Sequence, residues 1–74
     1  MLAYVLIRVV GDEQLVLDDL KQLSSVKESH VLFGEWDVIA KVNTDSPEGL
    51  SAFVMEEIRS IKNVKLTSTL IVAK

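Results

Sequence analysis

The chain has no cysteine and a single histidine, His30. The first absence excludes a disulfide framework and thiolate metal sites, and the second leaves no His-rich cluster to hold zinc. Basic residues are few and dispersed. Arg8, Lys21, Lys27, Lys41, Arg59, Lys62, Lys65 and Lys74 form no stripe, and 11 acidic against 8 basic residues give a net charge of −3. Such a chain is poorly suited to bind nucleic acid by itself. No apolar run approaches the roughly 18 residues of a membrane span. The longest, Met1 to Ile7, lacks the basic flank and small-residue cleavage site of a signal peptide, which makes the cytoplasm the expected location and leaves no membrane partner. Aromatic residues make up only 5% of the chain.

What is abundant is aliphatic. Hydrophobic residues are 49% of 74, high for so small a domain. A chain of this length buries only about 60% of its unfolded surface and is marginal alone. With disulfides and metals excluded, oligomerisation is the remaining device.

Leu2 to Val10 is β-branched and apolar on both faces, with Ala3, Val5, Ile7 and Val9 opposing Tyr4, Leu6 and Val10; Arg8 is the exception. This pattern predicts a strand buried on both sides. Gly11-Asp12 breaks it, and Asp12 is placed to cap a helix over Glu13 to Leu23, where Val16, Leu20 and Leu23 share a face. Val26 to Phe33 and Trp36 to Asn43 read as strands joined in an antiparallel hairpin. Asp45-Ser46-Pro47-Glu48 starts a second helix, capped by Ser46 with Pro47 first in the helix, or by Asp45 with Glu48. Its apolar face is Leu50, Phe53, Val54, Ile58 and Ile61, and Lys62-Asn63 ends it. Val64 to Ala73 is the last strand. The order β-α-β-β-α-β predicts an α+β, ferredoxin-like fold: a four-stranded antiparallel sheet with both helices on one face. The other face is too apolar for water. Leu32, Ile39, Leu66 and Leu70 alternate against Val31, Phe33, Val38 and Ile71, which predicts a dimer packed sheet to sheet.

Two clusters could carry chemistry. Gly34-Glu35-Trp36-Asp37 places two carboxylates and an indole beside a glycine that permits a positive φ, suited to an ammonium group; the plainer reading is a hairpin turn. Thr67-Ser68-Thr69 offers hydroxyls for a carboxylate; the plainer reading is β-propensity. His30 has no Ser or Asp partner at a spacing that suggests catalysis. No phosphate loop, nucleophile motif or metal-ligand set is present, so neither cofactor nor enzyme activity is expected.

Taken together, the element order, the segment from Gly34-Glu35-Trp36-Asp37 through Val38-Ile39-Ala40-Lys41-Val42, and the ending Val64 to Thr69 resemble the effector-binding domain of the Lrp/AsnC transcriptional regulators, also called the RAM domain. The resemblance covers essentially the whole chain. Full-length members carry an N-terminal helix-turn-helix domain; here the first strand begins at residue 2, so residues 1–74 resemble the stand-alone members, without direct DNA contact. The resemblance implies sheet-to-sheet homodimers assembled into a ring, octamer or decamer, with an amino-acid effector bound between dimers. It implies Gly34, Trp36 and Asp37 on the hairpin side of that pocket, Asp37 on the ligand's ammonium, and Thr67 and Thr69 on its polar end. Glu35 occupies a variable place, and Ser68 faces the other way along the strand. An indirect effect on transcription, through co-assembly with full-length family members, follows from the same comparison. Two rival expectations stand beside it: a structural subunit without ligand, and a small dimeric ferredoxin-like enzyme using His30 as base between sheet and helices.

Overall fold

A computed structural model covers residues 1–74. The elements are β1 (Leu2–Val9), α1 (Glu13–Lys21), β2 (Val26–Val31), β3 (Val38–Asn43), α2 (Pro47–Phe53) running on into a π-helical turn (Val54–Ile58), and β4 (Val64–Ile71). The strands form one antiparallel sheet in the order β2-β3-β1-β4. This is the ferredoxin-like arrangement expected from the element order.

The register explains the burial. Ala3, Val5 and Ile7 of β1 lie opposite Val42, Ala40 and Val38 of β3. All six are fully buried, in one cluster with Val16, Leu17 and Leu20 of α1, Leu50 of α2, and Val54 and Ile58 of the π turn. Both helices therefore cover the same sheet face, and no polar side chain is buried there. The alternate residues, Tyr4 and Leu6 of β1, Ile39 of β3, and Leu66 and Leu70 of β4, lie on the other face. Leu66 and Leu70 are each about half exposed, at 51% and 53%. Strand alternation alone produces this uncovered apolar face.

Local chemistry sets the boundaries. The Asp12 side chain accepts from the Gln14 backbone N–H at 2.9 Å, capping α1. At α2 the choice between two caps is settled for Ser46, whose Oγ accepts from Gly49 N–H at 2.9 Å with Pro47 following. The helix then widens. Arg59 N–H donates to the Val54 carbonyl, five residues back, at 2.9 Å. The Ser60 hydroxyl donates to the Glu56 carbonyl at 2.8 Å and lies 3.2 Å from that of Glu57. Asn63 adopts φ 77°, a left-handed conformation that asparagine tolerates, and turns the chain into β4.

Three expectations need correction. β2 ends at Val31 rather than Phe33 and β3 begins at Val38 rather than Trp36, so the connecting loop is six residues, Leu32 to Asp37. Phe33 is not a strand residue of the sheet face; it is fully exposed. Gly34 does not take a positive φ: Gly11 does, at 99°.

Candidate functional site

The β2–β3 loop is held by backbone and carboxylate rather than by its glycine. Leu32 N–H donates to the Asp37 carbonyl at 2.8 Å, closing the loop, and Asp37 N–H donates to the Ile7 carbonyl at 3.0 Å. Asp37 Oδ2 accepts from Val9 N–H at 2.7 Å in a partly buried setting. A β-bulge in the β1–β4 ladder lies between Arg8 and Val9; the carboxylate satisfies the Val9 donor next to it. One oxygen of Asp37 is thus structural, while Oδ1 has no hydrogen-bond partner in the chain.

Arg8, the one charge in an apolar strand, clamps the same loop. Its Nη2 donates to the Glu35 carbonyl at 3.0 Å, and its guanidinium carbon lies 5.3 Å from the centre of the Trp36 ring, within cation–π range. Trp36 and Asp37 are half-buried; Phe33, Gly34 and Glu35 project into solvent. A Cβ at Gly34 would meet nothing within 4 Å, so this glycine leaves the tip bare rather than fitting a tight turn.

The β4 hydroxyls divide as strand alternation requires. Thr67 lies opposite Ile7 and Thr69 opposite Val5, on the helix side; Ser68 lies opposite Leu6, on the uncovered face. Thr67 and Thr69 line an open groove of about 260 Å³ between β4 and the second helix, with Leu50, Met55, Arg59 and Ile71 among its walls. The groove exists because β4 is an edge strand that the short α2 leaves partly uncovered. Its lining combines a guanidinium, two hydroxyls and aliphatic surface. These groups suit a small molecule with a carboxylate at one end and an apolar portion at the other.

The two sets of residues named from the sequence do not meet in one chain. The loop residue Asp37 bonds to Ile7 through its backbone, and Thr67 pairs with Ile7 from the opposite side. β1 therefore stands between them. Gly34, Trp36 and Asp37 do not line the groove.

His30 is on the uncovered sheet face, opposite Ile39, with its side chain 63% exposed. It is not between sheet and helices, where the enzyme reading needs it. Its Nε2 lies 3.1 Å from Glu28 Oε1, and Lys41 Nζ lies 3.5 Å from Glu28 Oε2. The hydrogen bond from His30, then those contacts from Lys41, hold the Glu28 carboxyl below its ordinary value of 4.5. No group of three or more His, Asp or Glu side chains is placed to hold a metal ion. No helix is long and apolar enough to cross a membrane.

Arg59, Met55 and the clamping role of Arg8 were missed from sequence. Arg8 left a signal, because a lone charge inside an apolar strand needs a partner. Arg59 left none; only the packing of helix against edge strand brings it beside Thr67 and Thr69.

The fold is a small βαββαβ ligand-binding scaffold with an open groove and a tied hairpin. The chain belongs to the Lrp/AsnC ligand binding domain family, whose family model matches residues 2–74. An uncharacterised HTH-type transcriptional regulator of Pyrococcus furiosus is 36% identical over 73 residues, covering 93% of this chain and 49% of the relative. HTH-type transcriptional regulator FL11 of Pyrococcus abyssi is 35% identical over 75 residues and is likewise matched over 49% of its length. The chain thus spans about half the length of the curated relatives it matches. Among solved structures, FFRP-DM1 superposes with a TM-score of 0.90 at 38% identity, over 96% of each chain. A hypothetical protein of Pyrococcus horikoshii superposes at 0.90 with 36% identity, over 99% of this chain and 89% of the other. The family is one of transcriptional regulators with a ligand-binding domain, not of enzymes.

Proposed function

We propose that residues 1–74 act as an amino-acid-sensing domain that binds its effector at a seam between copies of the chain. The observation that carries this reading is the separation of the two polar clusters by β1. Asp37, whose second carboxylate oxygen is the proposed partner of the ligand's ammonium, does not line the groove that brings together Thr67, Thr69 and Arg59, the proposed partners of its carboxylate. A site that uses both takes the hairpin from one copy and the β4 groove from another. Trp36 and Gly34 shape the hairpin side, Glu35 tunes selectivity, and Ser68 stays outside the pocket.

Membership in a ligand-binding family supports the reading. A transcriptional regulator from Neisseria meningitidis in complex with L-Met has the same fold, with a TM-score of 0.91 at 17% identity; at that identity the fold is what is shared. The apolar face of Tyr4, Leu6, Ile39, Leu66 and Leu70 supports a sheet-to-sheet homodimer, and further contacts between dimers close a ring. Effector binding favours one assembly over another by its differential affinity for the two. The output reaches transcription in the cytoplasm through helix-turn-helix domains of the family regulators with which the chain assembles.

The test is a thermal-shift screen against the twenty amino acids. Ligand at 100 times its dissociation constant adds about 2.7 kcal/mol of stability per site, a large shift for a small domain. The expected result is a selective rise with one amino acid or a few of one class. No shift with any of them at millimolar concentration supports the ligand-free structural subunit instead.

A further inference from the structure

We infer that Glu28, Lys41 and His30 make the sheet-to-sheet dimer sensitive to acid: a proton on His30 loosens the dimer, and Lys41 sets the direction of that response. The inference rests on the homodimer proposed above and adds its regulation by protons.

The uncovered face has two unlike halves. Leu6 of β1 with Leu66 and Leu70 of β4 make one half aliphatic. On the other half, Lys41 of β3 lies opposite Glu28 of β2, and Ile39 lies opposite His30. His30 Nε2 is 3.1 Å from one oxygen of Glu28, and Lys41 Nζ is 3.5 Å from the other. One carboxylate therefore has a fixed cation on one oxygen and a switchable group on the other. The remaining titratable side chains of this face belong to β1. Tyr4 lies opposite Lys41, and Arg8 is turned to the hairpin loop by its bond to the Glu35 carbonyl and its place over Trp36. β4 brings no charge to this face, where it presents Leu66, Ser68 and Leu70.

Charge counting gives the sign. With His30 neutral, Glu28 and Lys41 cancel. A proton on His30 leaves the cluster with one excess positive charge. In the single chain the side chains of His30, Glu28 and Lys41 are 63%, 51% and 34% exposed, so water solvates that charge. A second sheet laid over the face removes the water, and an unbalanced charge is costly there. The facing copy carries the same cluster and adds a second excess charge of the same sign. Separated chains therefore take up the proton more readily than the dimer, and the dimer weakens as pH falls.

The switch has one candidate proton acceptor. His30 is the single histidine of the chain, and histidine is the side chain whose charge ordinarily changes between about pH 5 and 8. Glu28 stays ionised through that window, because the bond from His30 and then the contacts of Lys41 hold its carboxyl below 4.5. Removing Lys41 reverses the count. The cluster then has one excess negative charge when His30 is neutral, and the proton cancels it.

Fluorescence-detected sedimentation of the full chain, from nanomolar to micromolar concentration, tests this, with circular dichroism as the folding control. Between about pH 7.5 and 5.5, within the range where histidine titrates, the dissociation constant of the wild-type dimer is expected to rise at least about tenfold. Two protons per dimer permit up to about 100-fold per pH unit. His30→Gln should remove the response, and Lys41→Gln should invert it, giving the tighter dimer in acid. Three results overturn the inference: a wild-type monomer fraction that is the same at both pH values, a response that survives in His30→Gln, or one that keeps its direction in Lys41→Gln. A dimer without pH response removes the inference alone and leaves the sheet-to-sheet dimer in place. A wild type that is monomeric at both pH values removes the dimer itself, and the inference with it.

Discussion

Asp37 does two jobs with two oxygens. Oδ2 holds the Val9 N–H, and Oδ1 is free for a ligand. The jobs separate by substitution. Asp37→Asn keeps a carbonyl oxygen for Val9 and removes the charge; it should retain nearly all of the stability and lose effector binding. Asp37→Ala removes both and should cost about 1–3 kcal/mol in chemical denaturation, since it leaves a partly buried donor unpaired. Loss of stability equal in the two variants would mean that charge, not the bond to Val9, holds the loop. Glu28 offers a pH test at the same scale. Its carboxyl is depressed in the folded chain, so its contribution is present above the ordinary value of 4.5 and is lost as pH falls through the lowered one. Glu28→Gln should flatten the acid limb of the stability curve below about pH 4.5. An unchanged acid limb would show that the contacts with His30 and Lys41 do not persist in solution.

The elements were legible in the sequence wherever periodicity and caps agreed. β1 and both helix starts fall where Val/Ile alternation, Asp12 and Ser46 place them. Ser46→Ala should cost about 1 kcal/mol, and Gly11→Ala about 1–3 kcal/mol, because φ 99° strains any side chain. Thermal unfolding of the two variants reads both. The β2–β3 loop was misjudged for a physical reason. Leu32 and Phe33 continue the apolar text of β2, and hydropathy does not distinguish a side chain buried in its own sheet from one carried by the loop beyond it. Gly34 misled similarly, since its use is openness rather than a left-handed turn. The π turn was invisible because Leu50, Val54 and Ile58, four residues apart, suit an ordinary helix equally well. The candidate site was legible as residue types at the hairpin and in Thr67 to Thr69. That β1 separates them, and that Arg59 joins the hydroxyls, follows only from strand order and helix packing.

At the scale of the whole molecule, one sheet face is covered by helices and the other by nothing in the chain. Tyr4, Leu6, Ile39, Leu66 and Leu70 make that face a dimer surface in the proposed assembly. Leu70→Glu places a carboxylate on that face, on its edge strand, and should yield monomers at micromolar concentration by light scattering, with far-ultraviolet circular dichroism retained. A dimer that withstands Leu70→Glu would place the interface elsewhere. The proposed seam between copies then links assembly to ligand: the hairpin of one chain supplies the carboxylate and the edge groove of another the hydroxyls. The most direct test is calorimetric titration of the amino acid found in the thermal screen into wild type, Asp37→Asn and Thr67→Val. Saturable binding to wild type, lost in Asp37→Asn and weakened in Thr67→Val while both stay folded, is the predicted result. Binding that is equally strong in all three would contradict a site built from the hairpin and β4.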